Sequence, residues 1–166
     1  MNFRDVLAHY GRQFGTLLGL VFLCAVLGLL TPYFLTFSNL LNVLQQTSIN
    51  AIVAVGMTFV IITAGIDLSV GSIVAFSGVV LGTALQAGLP IPLAILAGLA
   101  AGCGCGLVNG VLITRGRLPP FISTLGMMSV ARGAALVFTN GRPVSGFAPD
   151  FRALATGELF FIPLPV

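Results

Sequence analysis

Asp67 is the one charged side chain between Arg12 and Arg115, and it sits in Gly65-Ile66-Asp67-Leu68-Ser69-Val70-Gly71-Ser72, a break between two apolar runs. A carboxyl group in that position has several uses. It can cap the helix that follows, accepting the N–H of Ser69 or Val70 at the positive end of the helix dipole. It can also belong to a gating hinge, touch a cytoplasmic partner or carry a proton. Gly65 and Gly71 flank it and permit a tight backbone turn. Gly65, Asp67, Ser69 and Gly71 are therefore the candidate gating or helix-break residues.

A second polar group is Gln45, Gln46, Thr47, Ser48 and Asn50, at the start of an otherwise apolar helix. Amides and hydroxyls suit an uncharged, polyhydroxylated substrate, which needs donors and acceptors but no counter-charge. Gln45, Gln46, Thr47 and Asn50 are the candidate substrate-pathway residues; the structural alternative is hydrogen bonding between helices. Arg132, the next basic residue after Arg117, either snorkels to the outer interface or bonds backbone carbonyls inside the bundle.

The remaining inventory excludes more than it offers. No Ser–His–Asp arrangement, paired carboxylate or metal-ligand spacing occurs, and His9 stands alone. The chain is not expected to be an enzyme or to hold a cofactor or metal. All seven basic residues are arginine, so the Walker phosphate loop, which needs lysine, is excluded. Transport powered by ATP would need a separate ATPase. A net charge of +3, scattered along the chain, does not fit nucleic-acid binding. Cys103 and Cys105 are two apart, face opposite sides of a helix and read as packing residues, as does Cys24.

The elements that position these residues are membrane helices. The chain is 57% hydrophobic and 7% charged, against about 25% charged in a soluble domain. An uncharged, largely apolar run of ~18 residues already reads as a membrane span. Spans are expected at residues 14–30, 40–64, 70–89, 92–114 and 121–138, with Ser38 or Asn39 capping the second. The second, at 1.5 Å per residue, is about 37 Å long, enough to cross ~30 Å of hydrocarbon. A sixth run begins at Leu159 and stops at Val166, which suggests a truncated sequence. The expected fold is thus all-α, a polytopic transmembrane helix bundle of five full spans plus the start of a sixth. Residues 1–13 form a cytoplasmic tail or interfacial helix, and residues 14–166 the transmembrane domain.

Gly98, Gly102, Gly106 and Gly110 recur every four residues in the fourth span, a ladder that reads as a helix-packing face, or else as a groove shaped for substrate. Orientation follows from arginine. Arg4 and Arg12 should share the cytoplasmic side with Arg115 and Arg117, which requires an even number of crossings between them. Four full spans satisfy this. Asp67 then lies toward the cytoplasm and residues 139–158, with the turn signal Asn140-Gly141-Arg142-Pro143, lie outside.

Several ordered blocks carry a family likeness. Leu41-Asn42-Val43-Leu44-Gln45-Gln46-Thr47-Ser48-Ile49-Asn50-Ala51, Val55-Gly56-Met57-Thr58-Phe59-Val60-Ile61 and Gly65 to Ser72 resemble the permease subunit of bacterial ribose-type sugar ABC importers. Thr124-Leu125-Gly126-Met127-Met128, Arg132-Gly133 and Thr139-Asn140-Gly141-Arg142-Pro143-Val144 resemble that family's next block. The resemblance implies a multi-pass inner-membrane permease working as a dimer, with a periplasmic sugar-binding protein and a cytoplasmic ABC ATPase subunit. Members of that family are longer, and their cytoplasmic coupling segment lies in a second half without a counterpart here. Ribose is the nearest substrate; xylose, galactose, autoinducer-type and polyol permeases share the motifs. The alternatives are a proton-coupled secondary transporter with Asp67 as its proton site, and a non-transporting membrane assembly protein derived from a permease half.

Overall fold

The computed structural model describes residues 3–159 and 162–163, with side chains for residues 14–154 and 157. Among the described residues there are six helices: α1 Phe3–Leu30, α2 Phe37–Ile62, α3 Val70–Gln86, α4 Ile91–Thr114, α5 Pro120–Thr139 and the short α6 Pro149–Thr156. By length and composition α2, α4 and α5 can each cross a membrane, while α3 and the apolar part of α1, Phe14–Leu30, are shorter. Seventeen residues of α3 rise about 25 Å, short of the ~30 Å hydrocarbon layer. Among the described residues, three of the five expected spans are thus matched by helices of full crossing length.

The helix ends have local causes. Helix α1 stops before Thr31-Pro32, as proline requires. The cap of α2 differs from expectation: Thr36, not Ser38 or Asn39, takes the capping position, its hydroxyl accepting the Asn39 N–H at 3.3 Å. Asn39 is used in the other direction, donating to the Phe34 carbonyl at 2.7 Å. Helix α3 ends in paired bonds from Gly88 N–H to Leu85 and from Leu89 N–H to Ala84, with Gly88 left-handed at φ 85°. Pro90 and Pro119 precede α4 and α5, where no backbone donor is lost. Asn140 and Gly141, at φ 51° and 70°, close α5 in the expected turn.

Residues 139–158 contain the short helix α6. Beyond it, Glu158–Leu159 pairs antiparallel with Ile162–Pro163, so the described part of the expected sixth span is strand and not helix. Pro163 and Pro165 oppose a helix there. Residues 160–161 and 164–166 lie outside the described residues.

Two compact units divide within α2, between Thr47 and Ser48. The first holds α1 and the beginning of α2. In the second, α3 packs against both α4 and α5. Ala94, Met127 and Ala131 form its small apolar core. Phe76 of α3 meets Phe138 of α5 edge-on, with ring centroids 5.8 Å apart. Gln86 of α3 donates to the Ser145 carbonyl at 2.8 Å, tying the far end of the helix to the segment after α5. Most large apolar side chains face outward, Phe22, Leu29, Ile52 and Val137 among them. That pattern fits a lipid solvent, in which burial is not the driving force for helix packing.

Candidate functional site

Helix α2 ends in a pair of bonds from Gly65 N–H to Val60 and from Ala64 N–H to Ile61. This C-cap places one residue in the left-handed region, a place usually taken by glycine. Here it is Ala64, at φ 55°. The expectation that Gly65 and Gly71 supply the backbone freedom is therefore corrected, since neither has a positive φ. Gly65 serves close approach instead: a Cβ there would lie 3.2 Å from the Val60 carbonyl oxygen.

The chain then runs through Ile66, Asp67 and Leu68 before α3 begins. Asp67 Oδ1 accepts the Ser69 N–H at 2.7 Å and the Ser69 hydroxyl at 2.5 Å. Ser69 occupies the N-cap position of α3, so Asp67 stands two residues before it. The acid accepts the expected N–H from outside the cap position. Ser69 is fully buried, while Asp67 is half-buried.

From Ser69 the bonding continues into two other helices. Asn109 of α4 donates through Nδ2 to Ser69 Oγ at 3.1 Å, and Ser123 of α5 donates to Asn109 Oδ1 at 3.1 Å. The direction is fixed by the first link. Ser69 gives its only hydroxyl proton to Asp67, so it must accept from an amide N–H, and the Asn109 carbonyl is left for Ser123. Thr124 adds a parallel tie from α5 to the Ile66 carbonyl at 3.1 Å. Asn109, Ser123 and Thr124 are 6%, 5% and 2% exposed. Among the described residues no buried side-chain N or O lacks a partner. Because an unpaired buried polar group costs about 1–3 kcal/mol, such a network fixes one geometry of the break.

Beside the break lies a cavity of about 480 Å³. Thr63 just after α2, Asp67, Asn109 and Thr114 of α4 and Thr124 of α5 contribute its polar lining, and Gly106 and Gly110 of α4 open its wall. The glycine ladder thus divides along its length. A Cβ on Gly98 would lie 3.0 Å from Ser77 O and Leu81 Cβ, and one on Gly102 would lie 2.9 Å from Ser77 Oγ, all in α3. Gly106 and Gly110 would meet nothing within 4 Å.

The other sequence-derived candidates are not among the cavity's lining residues. Gln45 is half-buried, and Gln46, Thr47 and Asn50 are exposed on α2. Arg132 is exposed on α5. Cys24, Cys103 and Cys105 are free thiols, and among the described residues no cluster of potential metal ligands forms. Sequence reasoning found Asp67 and Ser69 but missed Asn109, Ser123 and Thr124. The available signal was their polarity: Asn109 is the only amide in α4, and Ser123-Thr124 opens α5 next to the proline pair.

Comparison with known proteins gives the chain its relatives. The family described as branched-chain amino acid transport system / permease component matches residues 39–162. The ribose import permease protein of Escherichia coli (strain K12) is 45% identical over 155 residues, covering 91% of this chain and 48% of that protein. Its counterpart in Bacillus subtilis (strain 168) is 43% identical, covering 93% of this chain and 48% of that protein. The D-allose transport system permease protein of Escherichia coli (strain K12) is 38% identical, covering 96% and 49%. The chain thus spans about half the length of these curated relatives. No solved structure matches it. A family match that spans α2 to α5 and includes every residue of the buried network, together with relatives that are all permeases, makes this chain a membrane protein of the branched-chain amino acid transport system permease-component family.

Proposed function

We propose that the chain forms part of a multi-pass inner-membrane permease that admits an uncharged monosaccharide, ribose or a closely related sugar. A separate cytoplasmic ABC ATPase drives the passage, a periplasmic sugar-binding protein delivers the sugar, and a second permease copy completes the pathway as a dimer. Residues 1–13 are its cytoplasmic tail, and residues 14–166 lie in the transmembrane domain. The observation that carries this reading is the 45% identity to a ribose import permease across 91% of the chain. Two features of the molecule support it. The buried network is neutral and hydrogen-bonded apart from one acid, and the polar cluster of α2 offers Gln45, Gln46, Thr47 and Asn50 to a hydroxyl-rich substrate.

The test is complementation. The complete reading frame that encodes this chain, with its neighbouring ATPase and binding-protein genes, is expressed in cells lacking their own ribose permease. Uptake of labelled ribose should return, and uptake of labelled branched-chain amino acids should not. Uptake of leucine without uptake of any pentose or hexose would overturn the sugar assignment.

A further inference from the structure

The geometry points to the cavity beside Asp67 as a binding subsite for an uncharged, hydroxyl-rich ligand, selective against phosphorylated sugars. This rests on the permease reading and adds a place and a discrimination to it. At about 480 Å³ the cavity is within the usual range for small-ligand sites. Apart from Asn109, its polar lining is made of acceptors. Thr63 gives its hydroxyl proton to Val60 O at 2.8 Å, Thr114 to Gly110 O at 2.6 Å and Thr124 to Ile66 O at 3.1 Å. Each hydroxyl oxygen therefore faces a ligand as an acceptor. Asp67 has Oδ1 engaged by Ser69, and its second carboxyl oxygen adds another acceptor.

A sugar is rich in O–H donors and matches such a wall. A phosphate brings only negative oxygens, meets an acid, and finds no basic residue in the lining to offset its desolvation. Asn109 positions the carboxyl through Ser69 and keeps its second amide N–H as a donor. Gly106 and Gly110 leave the room that a larger residue would occupy.

Ligand protection of a cysteine reports on the cavity. Ile113, which lines it, is changed to Cys in a background where Cys24, Cys103 and Cys105 are Ala, within the complete reading frame. Alkylation is followed in permeabilised membranes, and sugar uptake in intact cells. Ribose at about ten times its half-protecting concentration should slow alkylation about tenfold, as occupancy of one site requires. Equal ribose 5-phosphate should not slow it. Adding Gly106→Leu should abolish protection while leaving the thermal unfolding midpoint in place, because its side chain enters open space. Ribose uptake without protection would overturn the subsite and leave the permease standing. Absence of both uptake and protection would overturn both. Protection by sodium chloride alone, or equally by ribose 5-phosphate, would also overturn the subsite.

Discussion

Asp67 acts on its surroundings through one oxygen that accepts two hydrogen bonds from Ser69. An Asp67→Asn variant keeps a carbonyl oxygen that can accept both, so substantial uptake should remain in the complete permease. Asp67→Leu removes the acceptor and leaves the Ser69 hydroxyl buried without its partner, at a cost of about 1–3 kcal/mol. It should lose most uptake, and the thermal midpoint in detergent should fall. Equal loss in both variants would assign the carboxyl a proton-carrying role. Asp67 was legible in the sequence because a lone acid in an apolar stretch is costly and needs a reason. Its direct partner Ser69 was legible as well, but the residues beyond Ser69 were not. Asn109 and Ser123 lie 40 and 14 residues from the atoms that contact them along the chain, and one neutral polar residue in an apolar helix carries no mark of its partner.

Helix positions were legible to within a few residues at most ends, because proline, glycine and the Asn-Gly pair punctuate apolar runs by local backbone rules. The choice among neighbouring capping residues was less legible. Thr36, Ser38 and Asn39 are all competent N-caps, and Thr36 is the one whose hydroxyl accepts a first-turn N–H, that of Asn39. The left-handed residue before Asp67 was misplaced for a similar reason: a glycine was available one position later, yet the C-cap bonds fix the special φ on Ala64. That conformation costs an L-residue about 1–2 kcal/mol. Ala64→Gly should therefore stabilise the protein by about 0.5–1 kcal/mol after glycine's entropic penalty, read as a higher thermal midpoint. A lower midpoint would show that Ala64 is unstrained. In the glycine ladder, Gly98→Leu must displace the Ser77 backbone and Leu81 and should cost about 1–3 kcal/mol or more. Gly98→Ala should be milder. If Gly98→Leu matched wild type in thermal stability, close approach of α3 and α4 at this rung would be refuted.

At the scale of the whole molecule, charge placement gives an orientation and outward apolar side chains give a solvent. Arg115 and Arg117 follow α4, and we propose from the positive-inside rule that their loop is cytoplasmic and residues 139–158 periplasmic. A single Cys at Gly116 in a cysteine-free background should resist an impermeant thiol reagent in intact cells and react once membranes are opened. Labelling from outside would invert the map. The general helical class was legible because the composition admits little else. Of the five expected spans, α2, α4 and α5 are long and apolar enough to cross a membrane, while α3 begins at Val70 as expected and stops three residues early at the Gly88 turn. The energy source is the central claim, and reconstitution of the complete permease with its ATPase and binding protein in sealed vesicles tests it most directly. Ribose accumulation should require ATP and persist when a protonophore collapses the proton gradient. Accumulation driven by an imposed proton gradient without ATP, abolished by the protonophore and by Asp67→Asn, would contradict the account.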